Sequence, residues 1–480
     1  MSESPKVIRR PHTKIVATLG PASVDLVGEL IEAGMSVARI NLSHGDPDDI
    51  RHLVSLVRSE SKARRSAVAV LCDLPGPKMR LGRFLGGVLD LSVDEVYLLR
   101  EGGEEAVEGE IYLDCKEAVG AMRTGDRVLL ADGAAELIVT GLADGGLNAK
   151  VTRAGQIADR KGIHMPDSEI SYELPTARDR ECIEFAKELG ADLIGVSFVG
   201  TSDDLVRIRA LAPEQLIVAK VERRLAVENL DEIMAQADGV MIARGDLGVE
   251  MDLELLPMLQ KDMLAAALRS GCFTITATEM LESMITSSRP TRAEVTDVAN
   301  AIFDRTDGVM LSAETAMGDY PVEAVSTMRR IATAVERSDR YKALPTVEFI
   351  TNSSDTADAI AMAAVQCAGM LGVDKIVCFT ETGNTVRLLS RYRPDAEIFG
   401  LTPRIESARW MTALSHVRPV PFARWSSLEE MLHEASIMMV ERGYATEGEQ
   451  IVFVAGVPPG VAKSTNVIKV HRIGDLVRLH

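Results

Sequence analysis

Aromatic residues are scarce in this chain, and basic residues are outnumbered: 53 lysines and arginines stand against 71 aspartates and glutamates. The net charge of −18 excludes nonspecific nucleic-acid binding, which needs a basic surface. It also means that an anionic substrate must be held by local positive groups, because the overall field repels it. Paired cysteines are missing too. The six cysteines (Cys72, Cys115, Cys182, Cys272, Cys367, Cys378) are scattered without a CxxC pair. They read as reduced, mostly buried thiols of a cytoplasm-like compartment. The N-terminus, MSESPKVIRRPH, lacks the apolar core of a signal peptide. No apolar run approaches the roughly 20 residues of a membrane span. These absences predict a soluble, cytoplasmic protein with no nucleic-acid or membrane partner. What is present is ample: 480 residues, 46% of them hydrophobic, can build two or three domains around large cores.

Residues 216–250, LIVAKVERRLAVENLDEIMAQADGVMIARGDLGVE, carry the strongest chemical signal. Two apolar runs flank a helical pattern, and each ends in charge. Lys220 and Glu222 close the first; Arg244 and Asp246 close the second. A lysine and two carboxylates at neighbouring strand ends can hold a divalent metal and a phosphate together. The plainer alternative is a lysine paired with a carboxylate in a polar core. The rest of the chain decides between them.

The strand–helix alternation around this segment is regular. KIVATLG, MSVARINLSHG, AVAVLCD, DLIGVSFV, LIVAKVE, GVMIA, FTITAT and GVMLSAE read as eight strands, each followed by a helical pattern. Ser23 is a predicted helix cap and Gly34 a helix end; Asp46-Pro47 and Thr176 open further helices, and another spans about 256 to 270. Strands apolar on both faces that alternate with helices imply a parallel sheet. Eight such units imply a closed (β/α)8 barrel with its chemistry at the strand C-termini. A long open doubly wound sheet is the competing architecture. Residues 82–167 break the pattern. They are short strands between turn signals such as Asp132-Gly133 and Asp144-Gly145-Gly146, an inserted small β domain with Gly82 and Gly162 as candidate hinges. From 352 a second α/β unit with a five-stranded open sheet begins. The expected division is an arm at 1–11, a barrel at 12–81 and 168–345, the insert at 82–167, and the C-terminal unit at 352–480.

Arg39, Asn41, Ser43, Asp73, Arg80, Lys220, Glu222, Asp246, Thr278, Ser312 and Glu314 fall at the C-terminal rim of this barrel. Each has a structural excuse: Asn41 and Ser43 can cap turns, and Glu314 can pair with an arginine. Together, on six strands, they read as one active site. Glu222 and Asp246 offer hard oxygens for magnesium or manganese, which takes few protein ligands. ARGDLG reads as a turn entering a helix, where a substrate carboxylate can meet free N–H groups. Lys220, Arg39 and Arg80 would surround a phosphoryl group.

TKIVATLGPAS, GMSVARINLSHG, AKVE, DGVMIARGDLGVE, TATEMLESMITSSRPTRAEVTDVANAI and DGVMLSAETAMGDYPVEAV resemble the motifs of the pyruvate kinase family, in that family's order. The resemblance runs from about Thr13 into the C-terminal unit. It implies a barrel, an inserted small β-barrel acting as a lid, an effector-binding C-terminal domain and a homotetramer. The implied reaction is phosphoryl transfer from phosphoenolpyruvate to ADP, giving pyruvate and ATP. By the matching motifs, Glu222 and Asp246 would hold the metal, and Lys220, aided by Arg39, would stabilise the transferring phosphoryl group. Thr278 would lie near the water that protonates the enolate. Gly245, Asp246 and Thr278 would hold the substrate carboxylate, with Arg39 and Lys220 also on the substrate. Pro21, Asn41, His44, Arg80 and Lys161 would lie near the nucleotide, and Ser312 and Glu314 would orient the site.

Departures from the family pattern carry information of their own. Potassium-dependent members read D-T-K-G-P-E-I-R-T after the third strand; this chain reads Asp73-Leu74-Pro75-Gly76-Pro77-Lys78-Met79-Arg80-Leu81. Lys78 replaces a glutamate, and Leu74 and Leu81 replace threonines, as in the potassium-independent branch. The Lys78 ammonium, near Asn41, Ser43 and Asp73, would supply the charge of the monovalent cation. Glu279 stands for a usual glutamine, Met317 for a lysine and Gly200 for an arginine. In the C-terminal unit, Thr380, Glu381, Thr382, Gly383, Asn384 and Thr385 resemble the family's effector-phosphate loop, and residues 456–466 the loop that closes over it. Glu381 would repel a second phosphate, which favours a monophosphate such as a sugar phosphate or AMP. Two rivals remain at this stage: a metal-dependent phosphoenolpyruvate or pyruvate lyase of the aldolase type, and a catalytically silent sugar-phosphate sensor.

Overall fold

Eight short runs bury almost every residue they contain, as strands covered on both faces must. They are Lys14–Thr18 (β1), Met35–Asn41 (β2), Ala69–Asp73 (β3), Leu193–Val196 (β4), Leu216–Val221 (β5), Gly239–Ala243 (β6), Phe273–Ala277 (β7) and Gly308–Leu311 (β8). All pair in parallel, and β1 meets both β2 and β8: Ala17 lies opposite Ala38 on one side and Leu311 on the other. The sheet therefore closes into a barrel, and the open doubly wound alternative is excluded. A computed structural model describes residues 11–102, 105–115, 118–131, 133–168, 170, 173–344, 355–424, 427–458 and 464–475.

Local signals set most helix ends. Asp46 accepts from the Asp48 N–H before Pro47, and Thr176 with Asp179 and Thr291 with Glu294 form capping boxes. Gly271, at φ 77°, ends Leu256–Ser270. Ser23 is a correction. It makes no side-chain cap; its hydroxyl accepts from the Gly20 N–H at 3.0 Å and donates to the Thr315 carbonyl at 2.7 Å. A partner far along the chain takes the group that the local pattern assigned to a cap.

The insert between β3 and β4 builds a six-stranded sheet, with Ala135–Ala143 and Gly146–Arg153 as its central hairpin. Two short two-stranded sheets complete it around one core that includes Leu99, Ile111, Val128, Leu137 and Val151. Its two connections to the barrel run side by side: the Leu81 N–H donates to the Lys161 carbonyl at 2.8 Å, and Arg80 bridges to Gly162.

The C-terminal unit is a five-stranded sheet ordered Val417–Pro421, Glu397–Thr402, Lys375–Phe379, Gln450–Gly456, Thr465–Arg472, with only the last strand antiparallel. Its core is continuous with the barrel lumen through Val16, Val218, Phe273 and Met310. The buried Asp307 seals this junction. It accepts from the Thr274 N–H at 3.0 Å, the Ser415 N–H at 3.0 Å and Arg393 Nη2 at 2.7 Å. The N-terminal end of the barrel is thereby closed, and the open end is left for chemistry. Among the described residues no helix is long and apolar enough to cross a membrane. The arm at 1–10 and residues 459–463 of the expected effector-closing loop lie outside the described residues.

Candidate active site

Lys220, on β5, is the centre. Its ammonium lies 2.8 Å from Ser197 Oγ, 2.7 Å from Glu222 Oε1 and 3.3 Å from Asp73 Oδ2. Arg39, on β2, reaches the same Asp73 oxygen through Nε at 3.0 Å and Nη2 at 2.5 Å, and donates to Thr18 Oγ1 at 3.0 Å. Burial works against charge on Lys220, Asp73 and Glu222. It is outweighed at Lys220, whose pKa is raised by Asp73 and Glu222. It is outweighed at Asp73 too, where Lys220 and Arg39 hold the carboxyl below its ordinary value. At Glu222 it prevails: burial pushes the carboxyl up, Lys220 opposes it and Asp246 adds to it. The lysine–carboxylate pairing of the plainer sequence reading is therefore real, yet it lies at the open strand ends. Asp73 Oδ1 is buried and has no hydrogen-bond partner among the described residues. It packs so closely on β4 that a Cβ at Gly195 would stand 2.7 Å away, which explains a glycine inside that strand.

Asp246 lies in the first turn of Arg244–Glu250, half-buried. Among the described residues no group of three or more His, Cys, Asp or Glu side chains is placed to hold a metal. Two hard carboxylates, Glu222 and Asp246, suit magnesium or manganese, which draws its other ligands from substrate and water. Arg244 does not face the rim. It donates to the Thr278 carbonyl at 2.8 Å and the Ala277 carbonyl at 3.3 Å, and pairs with Asp297 at 2.6 Å. These bonds brace a turn in which Thr278 and Glu279 hold φ values of 65° and 55°, costly for residues with a Cβ. Thr278 Oγ1 accepts from the Gly245 N–H at 2.7 Å and donates to the Ala277 carbonyl at 2.7 Å. Among the described residues the buried Glu314 pairs with no arginine; it accepts from the N–H groups of Ser312 at 2.6 Å and Leu281 at 3.1 Å, joining the ends of β7 and β8.

The remaining predicted residues sit further out. Asn41 Oδ1 accepts from the Ser43 N–H at 3.0 Å, as a turn cap does. Pro21, Ser43, His44 and Lys161 are exposed, and Arg80 donates to the Arg160 carbonyl at 2.9 Å. Lys78 is exposed, and among the described residues no hydrogen bond or ion pair joins it to Asn41, Ser43 or Asp73. Leu74 and Leu81 are buried and bring no hydroxyl to this region. In the C-terminal unit, Gly383 at φ 83° caps Asn384–Arg391, and its N–H donates to Thr380 Oγ1 at 2.8 Å. A Cβ there would meet the Trp410 ring at 2.1 Å, so glycine is required. Thr385 Oγ1 lies 2.5 Å from Thr465 Oγ1, Asn384 accepts from Arg387, and Thr382 is exposed. Glu381 is held by Arg424 through two bonds, at 2.9 and 2.6 Å, so its repulsion acts from an ion pair rather than a bare carboxylate.

Three contributors escape the sequence reading: Thr18, Ser197 and the bracing role of Arg244. Ser197 left a signal, a single hydroxyl near the end of the apolar run DLIGVSFV.

Comparison with known proteins shows the family. The family model "Pyruvate kinase, barrel domain" matches residues 10–325, and "Pyruvate kinase, alpha/beta domain" matches residues 358–471. The pyruvate kinase of Methylorubrum extorquens is 39% identical over 465 residues, 96% of this chain and 97% of that protein. That of Staphylococcus aureus strain MRSA252 is 37% identical over 471 residues, 96% of this chain and 80% of that protein. A crystal structure of a pyruvate kinase from Cryptosporidium parvum matches with a TM-score of 0.88 at 32% identity, covering 97% of this chain and 96% of its own. With both domains matched and relatives aligned along nearly its whole length, this chain belongs to the pyruvate kinase family.

Proposed function

We propose a division of labour for the family's reaction, in which phosphoryl passes from phosphoenolpyruvate to ADP with a divalent metal. Glu222 and Asp246 hold that metal, magnesium or manganese, which when bound neutralises charge on the substrate oxygens. Lys220, with Arg39, faces the transferring phosphoryl group. The bond from phosphorus to the enolate oxygen breaks, and a bond to the terminal phosphate oxygen of ADP forms. Gly245, Asp246 and Thr278 receive the substrate carboxylate, and Thr278 orients the water that gives the enolate carbon its proton. Pro21, Asn41, His44, Arg80 and Lys161 line the nucleotide side, and Ser312 and Glu314 fix the β7–β8 ends. The observation that carries this reading is the Lys220 ammonium held charged beside Glu222 at the barrel's open end.

Potassium independence, effector binding and assembly belong to the same proposal. The Lys78 ammonium, exposed and unpaired among the described residues, supplies the charge that a monovalent cation brings elsewhere. The loop Thr380, Thr382, Gly383, Asn384, Thr385 receives the phosphate of a monophosphate effector. A homotetramer in the cytoplasm follows the family resemblance, and the exposed Leu253, Leu255, Met258 and Met370 offer it apolar surface.

One experiment tests these readings together: initial rates of pyruvate formation, on protein whose mass is read by light scattering at the assay concentration. Turnover should require ADP and a divalent metal. Replacing potassium by a tetraalkylammonium salt should change the rate by no more than about twofold, because Lys78 carries its charge covalently. At low phosphoenolpyruvate, AMP or a sugar monophosphate should raise the rate. Strong potassium activation, flat responses to every effector, or the mass of a single chain would each remove the corresponding part.

A further inference from the structure

The corner Ser197–Phe198, at the end of β4, touches three structures at once. The buried Ser197 hydroxyl accepts from Lys220 Nζ at 2.8 Å and donates to the Leu74 carbonyl at 2.8 Å. The Phe198 N–H donates to Glu222 Oε2 at 2.8 Å, from a backbone at φ 59°. Gly76 rests on the same corner: a Cβ there would stand 2.8 Å from the Phe198 ring and 3.0 Å from Ser197 Cβ. The Gly76 N–H donates to Asp179 Oδ1 at 2.9 Å. Asp179 is buried, and its other oxygen accepts from the N–H and hydroxyl of Thr176.

These contacts join the two routes between barrel and insert. Residues 74–82 are the strap leading out from β3, and Thr176 opens the first helix after the chain returns. Asp179 clamps one to the other, and Ser197 connects the strap to Lys220.

The proton count makes the serine more than a filler. A lysine ammonium has three N–H donors. The acceptors around this one are Ser197, Asp73 and Glu222. Ser197 alone among them is uncharged, and its own proton is committed to Leu74. It therefore presents only a lone pair to Lys220. Its position, set by the strap, fixes one of the three directions in which the ammonium points.

We propose that Ser197 is a positioning residue that ties Lys220 to the strap at 74–82, so that the placement of the ammonium follows the placement of the insert. The proposal rests on the reading that Lys220 faces the transferring phosphoryl group. Ser197 need not touch the reacting atoms; it acts through the lysine.

The test measures steady-state kinetics and amide hydrogen exchange on the full-length wild type, Ser197→Ala and Asp179→Asn. For Ser197→Ala we expect kcat to fall by about 10- to 100-fold, the scale of a small misplacement of a catalytic group. KM for phosphoenolpyruvate should stay within about twofold, because ground-state binding is left in place. Peptides covering 74–82 should exchange faster, with the barrel strands unchanged. Asp179→Asn loosens the strap without touching Lys220 or its partners. It should speed exchange at 74–82 and lower kcat in the same sense, again at constant KM. Unchanged kcat in Ser197→Ala overturns the proposal. So does an Asp179→Asn protein whose strap exchanges faster while kcat stays at the wild-type value. A merely structural effect would instead raise KM and speed exchange throughout the barrel, which also overturns it. Lys220→Met distinguishes the underlying reading: if that variant turns over normally, the assignment of Lys220 fails, whatever Ser197 does.

Discussion

Lys220→Met is expected to lower kcat by about 10³- to 10⁵-fold, the range over which a cation aimed at a transferring phosphoryl group acts. The loss should fall on kcat more than on KM, because in the proposed role Lys220 meets a charge that grows only as phosphorus leaves the enolate oxygen. Binding of Mn²⁺, read by titration, should survive, since the substitution leaves both Glu222 and Asp246 in place. It even frees Glu222 Oε1 from its 2.7 Å contact with the ammonium. Stability is a separate matter. Removing one partner of a buried ion pair costs about 3–5 kcal/mol. Part of that is offset here, because Asp73 keeps Arg39 and Glu222 keeps the Phe198 N–H. The variant should therefore fold with a lowered melting temperature and bind metal, yet transfer phosphoryl poorly.

Asp246→Asn should give the complementary failure. Under the proposed assignment, losing one of the two metal-holding carboxylates removes several kcal/mol of transition-state charge stabilisation, and the rate at moderate metal should drop on the order of 10³-fold. Unlike the lysine variant, this one should show weakened Mn²⁺ binding, and raising the metal concentration should recover part of the rate. Its stability should not fall. Asp246 is half-buried, and its charge makes ionisation of Glu222 harder. Neutralising it relieves that repulsion, so the metal-free melting temperature should hold or rise, as expected where function keeps like charges together. Tight Mn²⁺ binding in Asp246→Asn would remove Asp246 from the metal site.

The barrel was legible in the sequence because each of its strands is covered on both faces and written almost wholly in apolar letters. The ends of those strands were legible because Lys220, Glu222 and Asp73 interrupt such runs where a floor residue would be aliphatic. The lyase and silent-sensor rivals fell to the family matches over both domains. What escaped depends on partners far along the chain or on backbone shape. Ser23 looked like a cap because the local pattern permitted it, but its hydroxyl is taken by a carbonyl 292 residues away. Arg244 read only as a charge closing an apolar run, but it turns back to brace the Thr278 turn. The positive φ values of Phe198, Thr278 and Glu279 have no sequence signature, since these are not turn-forming residues. Glu381 looked like a bare carboxylate because Arg424, its partner, sits 43 residues on.

Ser197 shows why such misses matter. One hydroxyl in an apolar strand is an ordinary sight in sequence. In three dimensions it hydrogen-bonds both the lysine and the strap that carries the insert, the link on which the proposed coupling rests.

The most direct measurement is a rapid-quench single turnover of phosphoenolpyruvate with ADP, comparing wild type with Lys220→Met at saturating Mn²⁺ whose occupancy is verified by titration. Lys220 acting on the phosphoryl group predicts that ATP and pyruvate appear together in the wild type, and at least about 10³-fold more slowly in the metal-loaded variant. Transfer at the wild-type rate in that variant would contradict the assignment at the centre of the site.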